Sequence, residues 1–425
     1  MKSSQNKVAI VGGLRIPFAK SFSHYSRISN QEMMTYVIQS LVKKYKLEGK
    51  ALGDVSMGAV MTHASDWNLT REALLSTGLD PHTPAYNVQR ACGTGLETTN
   101  QLALKIAAGQ MEVGIAGGAD TNSDLPIEFQ KEFSWKLLDA RKAGTPLEKF
   151  LSVLKIHPGD LKPVFPAVRE PRTGKSMGEH CELMVQEWNI SQKEQDEIAL
   201  ASHKNAAKAY EQGFYNDLVI EFKGLTKDPT VRPDTTLERL AKLKPAFDFS
   251  GKGTITAGNA SPLSDGASGV LLASDEYAAK NSLPILAHFI DCHSSAVDYV
   301  HGEGLLMAPT YAVAQLLKRN NLTLQDFDFY EIHEAFAGQV ACTLKAWEDA
   351  EYCKKKLGLN QALGSIDRSK MNIKGSSVAL GHPFAATGGR IVATLAKMIS
   401  EKGSGRGLIS ICTAGGMGVA AIIEK

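Results

Sequence analysis

Two cysteines and two histidines of this 425-residue sequence stand where side chains are commonly made reactive. Cys92 lies in NVQRACGTGLETT, just before a helical stretch, with Gly93 and Gly95 opening access to the backbone. The positive end of a helix dipole lowers a thiol pKa, so this location predicts a nucleophilic thiolate. A buried, inert cysteine is the alternative. His382 lies in GSSVALGHPFAATGGR, held between Gly381 and Pro383 ahead of another helix. A helix N-terminus disfavours imidazolium and leaves a neutral ring able to accept a proton. Taken alone, that segment fits a turn histidine bonded to backbone better. His333 follows an apolar run in YEIHEAFAGQ, and strand ends opening into helices are where α/β folds place functional groups. Its neighbour Glu334 could orient the ring or cap the helix. Cys412, in ISICTAGGMG, closes an apolar run beside glycines, which suits either a closely approached substrate or a structural thiol.

The elements that must carry these residues alternate. Apolar runs at 8–13, 113–118, 269–274, 284–290, 328–332 and 408–412 read as buried strands, and 96–109, 310–320 and 388–403 read as helices. That pattern predicts sheets covered by helices. One grammar occurs twice: a reactive loop, a helix, a buried strand and an Ala-Gly-Gly turn, at 92–118 and again at 381–416. It predicts two duplicated α/β halves, 1–283 and 284–425.

Composition removes several functions. The net charge is +2, which argues against a dedicated nucleic-acid binder. The six cysteines form no CxxC pair, so zinc-ribbon and thioredoxin readings have no support. GxGxxG, GxxxxGK[ST] and GxSxG patterns are absent. The uncharged stretch 408–423 is shorter than the ~20 residues of a spanning helix. A soluble protein with free thiols in a reducing, cytoplasmic setting is expected. Residues 131–175 are different in character, with ten Lys/Arg against five Asp/Glu. Phe129, Phe133 and Leu137, then Leu147, Leu151 and Leu154, predict two short amphipathic basic helices in an insertion. That insertion reads as a solvated lid, as a membrane-surface or partner face, or as a basic wall for a phosphorylated ligand.

Taken together, the four loops resemble the thiolase family. Its nucleophile loop is matched by Cys92-Gly93-Thr94, its [NH]EAFA segment by 333–337, its GHP motif by 381–383 and its C-terminal CxxGG turn by 412–416. TAGNASPLSDGAS (256–268) resembles the family's coenzyme A loop, and SMGEHCELM (176–184) its Met-Gly loop. Most thiolases have Asn where this chain has His333. That histidine and the basic insertion resemble 3-ketoacyl-CoA thiolases of the kind that serve as β subunit of the fatty-acid oxidation multienzyme complex. The resemblance implies two βαβαβαββ halves in a five-layered αβαβα core, with a loop domain inserted at about 121–250. It also implies CoA as co-substrate, no metal or other cofactor, a homodimer, and an enoyl-CoA hydratase/3-hydroxyacyl-CoA dehydrogenase α subunit in an α2β2 complex. Peripheral membrane contact would fall in 131–175.

The same resemblance implies site roles. Cys92 would carry the acyl group, His382 would be its base, and Cys412 would be the acid and base at the adjacent carbon. His382 and His333 would frame one oxyanion site, and the N–H groups of Cys92 and Ala414 another. Met177, Phe247, Ala257, Ser261 and Phe336 would line the pantetheine tunnel. The expected activity is CoA-dependent cleavage of a 3-oxoacyl-CoA in fatty-acid β-oxidation. An acetoacetyl-CoA biosynthetic thiolase, a ketoacyl-synthase-like condensing enzyme and a silent CoA- or lipid-binding subunit stand as alternatives.

Overall fold

Strands Val8–Arg15, Val113–Asp120 and Ser264–Ser274 are buried along their whole length, so both faces need cover. The computed structural model, which describes residues 6–425, supplies it from three separate cores. In strand Ser264–Ser274, Leu271 and Ala273 face one core while Val270 and Leu272 face another. In strand Met417–Glu424, Val419, Ala421 and Ile423 turn toward that second core, and Ala420 and Ile422 toward a third. The period-2 geometry of a strand makes this two-sided burial possible.

Helix Asn30–Lys44 lies over the first core. Helices Thr94–Ala107 and Ala386–Lys402 pack together in the middle one, and Ala308–Asn320 and Ala337–Glu348 cover the third. Helix, sheet, helix, sheet and helix therefore form five layers. The strand order runs Phe329–Ile332, Arg406–Thr413, Met417–Glu424, Ala287–Ala296, Val8–Arg15, Ser264–Ser274, Val113–Asp120, Asp54–Met57, Ala85–Asn87. The two groups of strands meet only at Ala9↔His288 and Ile10↔Ala287. Among these strands, parallel pairing is confined to 329–332 with 406–413, and to 54–57 with its two neighbours.

Most expected elements form close to the expected bounds, and two points are corrected. The strand expected at 284–290 runs Ala287–Ala296, since Pro284 has no N–H for a ladder. The duplicated Ala-Gly-Gly is a turn only once. Ala414–Gly416 is a 3₁₀ turn, whereas Ala116–Gly118 continues inside strand Val113–Asp120. There Gly118 serves close approach, because a Cβ would sit 2.4 Å from the Ala385 carbonyl oxygen. The insertion does contain two helices, Lys131–Lys142 and Pro146–Val153, the second started by a Thr145/Glu148 capping box. Among the described residues no helix is long and apolar enough to cross a membrane.

One buried ion pair ties the first strand to the segment after helix Gln192–Glu211. Arg15 donates to both carboxylate oxygens of Asp228 at 2.6 Å, and Asp228 also accepts from Phe18 N (2.7 Å) and Tyr210 Oη (2.6 Å). Removing one partner of such a pair strands the other charge. Asp228→Ala is expected to lower unfolding free energy by about 3–5 kcal/mol, measured by chemical denaturation. A loss below about 1 kcal/mol would mean that the pair does not hold this junction.

Candidate active site

The nucleophile loop is shaped by a strained residue and a threonine clasp. Ala91 has φ 45°, in the left-handed region that disfavours a Cβ. Thr94 Oγ1 accepts from Arg90 N (2.8 Å) and donates to the Ala91 carbonyl (2.7 Å). This turn leaves Cys92 half-buried at the entry to helix Thr94–Ala107, with Gly93 as N-cap. His382 follows Gly381, whose φ of 98° suits glycine, and is fixed by a short bridge to Leu263. His333 leaves strand Phe329–Ile332, its N–H on the Ser410 carbonyl at 2.8 Å. Cys412 is the penultimate residue of strand Arg406–Thr413.

These four distant segments converge. The Cys92 sulfur and one ring nitrogen from each of His333 and His382 lie within 4.8 Å of one another. The imidazoles are 4.2 Å apart between centroids, tilted by 50°. Cys92, His382, Cys412 and Ala414 line one cavity of about 190 Å³, together with Met177, Phe247, Ser261 and Phe336. His333 is fully buried immediately behind it. Ala257 is not on that wall. It lines an adjoining cavity of about 370 Å³ that shares Phe247, Ala260, Ser261 and Leu263 and carries Lys20 and Arg232. The 256–268 segment is stitched to 333–337, for Ser261 N and Oγ donate to the Ala335 carbonyl (3.0 and 2.9 Å) and Ala337 N to the Asn259 carbonyl (2.8 Å).

The electrostatics correct one expectation. Burial pushes the Cys92 thiol up to about 12, against the lowering effect of the Ala414 and Cys92 N–H groups. Loss of water outweighs those N–H groups, which favours the neutral thiol over the thiolate expected from the helix start. Burial likewise raises Cys412 well above the ordinary thiol range, while the Ala335 N–H acts the other way. Burial, with the Arg390 cation, pushes His382 down to about 3. Burial, His382 and Arg390 also lower His333. A neutral thiol beside a neutral imidazole is arranged for proton transfer during attack. The second thiol keeps its proton at neutral pH and is arranged as a donor.

A pH dependence follows from the sign of the His382 shift. Its imidazole stays neutral through pH 5, because the charged form is what burial and Arg390 oppose. The acid limb of kcat/KM is therefore expected well below the ordinary histidine value of about 6.5. A limb at 6.5 that disappears in His382→Asn would contradict this placement.

Several residues of the site carried no local signal. Glu170, from the basic insertion, accepts from Gly415 N (2.6 Å) and Tyr299 Oη (3.0 Å), and so braces the turn after Cys412. Thr387 Oγ1 holds His382 Nδ1 at 2.6 Å, and Ser377 Oγ holds His333 Nδ1 at 2.9 Å. Arg390 could have been noticed as a charge in the otherwise uncharged first half of helix Ala386–Lys402. Glu334 takes neither role expected of it. Its carboxylate accepts from Ser202 Oγ (2.7 Å), Asn372 Nδ2 (2.6 Å) and Val378 N (3.2 Å) in the first turn of helix Ser377–Leu380, and not from the His333 ring or from the start of helix Ala337–Glu348 that follows it.

Comparison with known proteins gives matches along nearly the whole chain. Residues 8–276 match the model for the thiolase N-terminal domain, and residues 283–425 that for the thiolase C-terminal domain. A 3-ketoacyl-CoA thiolase of Yersinia pestis (strain Pestoides F) is 38% identical, with 99% of this chain and 97% of that protein covered. Among solved structures, the Bacillus anthracis acetyl-CoA acetyltransferase aligns with TM-score 0.82 at 30% identity, covering 99% of each chain. Human mitochondrial 3-ketoacyl-CoA thiolase in complex with CoA aligns with TM-score 0.81 at 27% identity, covering 99% of this chain and 98% of that one.

Proposed function

Because the chain belongs to the thiolase family, we propose that it is a 3-ketoacyl-CoA thiolase, an acyltransferase that cleaves 3-oxoacyl-CoA with CoA. The products are acetyl-CoA and an acyl-CoA two carbons shorter. The observation that carries this reading is the meeting of Cys92, His382 and Cys412 on one cavity wall. His382 Nε2 has no protein partner and is free to take the Cys92 proton as sulfur attacks the C3 ketone. The tetrahedral oxygen is held by the Cys92 and Ala414 N–H groups. The C2–C3 bond then breaks, leaving an acyl-Cys92 thioester and the enolate of acetyl-CoA, framed by His382 and His333. Cys412 gives that carbon its proton. As a thiolate, Cys412 next takes the proton of incoming CoA, whose sulfur attacks the acyl-Cys92 carbonyl. The departing Cys92 sulfur regains its proton from His382.

Every step uses thiols, imidazoles and backbone N–H groups, with CoA as co-substrate and no metal or prosthetic group. Met177, Phe247, Ala257, Ser261 and Phe336 line the route of the pantetheine. Lys20 and Arg232, on the outer cavity, are cations available to the CoA phosphates. A ketoacyl-synthase-like enzyme would lack the acid at 412. Incubation with a 3-oxoacyl-CoA and free CoA tests the reading. Acetyl-CoA and a shortened acyl-CoA are expected, while binding without product would establish a silent carrier. The same assay across acyl lengths, run in both directions, separates a β-oxidation enzyme from an acetoacetyl-CoA biosynthetic one.

The halves are taken as 1–283, with a loop domain at about 121–250, and 284–425, supported by the spans of the two family matches. A cytoplasmic homodimer joined to a hydratase/dehydrogenase α subunit is the assembly that fits the subfamily resemblance. The insertion helices expose Trp135, Leu147, Phe150, Leu151 and Leu154 beside Arg141 and Lys142, which supports a membrane or partner face over a solvated lid. Lys136 is held by Asp160 at 2.5 Å, so charge reversal belongs at Arg141 and Lys142. Weaker binding to anionic vesicles or to the α subunit is the expected result, and unchanged binding to both favours the lid.

A further inference from the structure

The two active-site histidines leave the same atom, Nε2, without a hydrogen-bond partner among the described residues, yet the reaction needs opposite behaviour from them. His382 must accept a proton there. His333 is useful only if it donates a hydrogen bond to an oxyanion. An isolated neutral imidazole can be either tautomer, so something must distinguish them.

The distinction is visible one residue further back. Arg390, buried in helix Ala386–Lys402, has Nε and Nη1 without hydrogen-bond partners. It spends its Nη2 on two serines, Ser377 Oγ at 2.9 Å and Ser376 Oγ at 3.4 Å. The Glu331 carboxyl is 4.0 Å from Nη1, also fully buried, and has no hydrogen-bond partner among the described residues. A guanidinium is donor-only, so Ser377 oxygen must accept from it. Among the described residues the only other partner of Ser377 Oγ is His333 Nδ1, the one acceptor its proton can reach. The hydroxyl therefore donates to Nδ1, and the single proton of neutral His333 sits on Nε2. The corresponding hydroxyl behind His382, Thr387 Oγ1, has no cation or other donor on it among the described residues, so its lone pairs are open to Nδ1–H. That leaves the His382 Nε2 lone pair open to the Cys92 proton.

We propose that Arg390 and Ser377 are positioning residues that lock His333 as an Nε2–H donor and thereby divide the labour between the two histidines. This deepens the thiolase reading and rests on it for the catalytic consequence. The placement of the proton does not depend on that reading.

The test is ring-nitrogen NMR of the full-length protein labelled with ¹⁵N-histidine, with signals assigned by His333→Gln and His382→Asn. In the wild type, Nε2 of His333 is expected to be the protonated nitrogen, and in His382 Nδ1. Ser377→Ala is expected to lose the fixed His333 tautomer and to slow C2-hydrogen exchange of acetyl-CoA by about 10- to 100-fold, with KM for acetyl-CoA little changed. Ser377→Thr keeps the hydroxyl and is expected to restore both. Arg390→Lys, which retains a buried cation, is expected to fall between. A wild-type His333 protonated on Nδ1, or a Ser377→Ala protein with unaltered tautomer and exchange, would overturn the proposal. The nitrogen signals report the relay even if no 3-oxoacyl-CoA is cleaved, so its failure and that of the thiolase reading give different results.

Discussion

Cys92→Ser is expected to reduce thiolysis by roughly 10⁴-fold or more, because the nucleophile and its base act as a unit and removing either member loses most of their joint effect. The hydroxyl occupies almost the same space at the entry of helix Thr94–Ala107, so the thermal midpoint should barely move. The failure should be chemical rather than structural. A serine oxygen beside neutral His382 is a poorer nucleophile than sulfur. Mass spectrometry after mixing with a 3-oxoacyl-CoA reads the result directly: an acyl adduct on the wild type, none on the variant. Retained turnover would remove Cys92 from the reaction and leave the convergence of the four loops without its central member.

The second large effect belongs to the other thiol. Cys412→Ser should slow exchange of the C2 hydrogens of acetyl-CoA by about 10²- to 10⁴-fold, the usual span for a general acid or base. Cys92 should remain open to alkylation by iodoacetamide, which separates this outcome from collapse of the site. The side chain at 412 shares its cavity with Cys92, and the Cys92 sulfur adds to the cost of ionising Cys412. Exchange at the wild-type rate would assign the proton to another group, and the neutral imidazole of His382 would be the next to test.

What could be read from the chain before its structure follows from the range of each interaction. Strands such as Val8–Arg15 and Arg406–Thr413 are legible because their apolar runs are local and buried on both faces. Cys92, His382 and Cys412 are legible because each sits in a short loop of glycines and small residues whose spacing survives as a motif. The thiol's proton affinity is another matter. The helix start is visible in the sequence, but the burial that outweighs it comes from segments hundreds of residues away. The same holds for Glu170 beneath Gly415, for Ser377 and Arg390 behind His333, and for Glu334, whose partners come from 202, 372 and 378. A repeated Ala-Gly-Gly looks alike in one dimension. The first copy stays extended because Ala116, Gly117 and Gly118 pair with Val270, Gly269 and Ser268 of a strand far along the chain.

The two central helices meet where neither has a side chain. A Cβ on Gly388 would lie 2.1 Å from Leu96 N, and one on Gly95 would lie 2.7 Å from the Ala385 carbonyl and from Gly389 N. Each helix begins a few residues from a reactive group, one behind the sulfur at 92 and the other behind the imidazole at 382. The thickness of bare main chain thus sets the gauge between nucleophile and base. A single methyl at either glycine would act as a shim, wedging the duplicated halves apart at the one seam where tenths of an ångström are read out as rate.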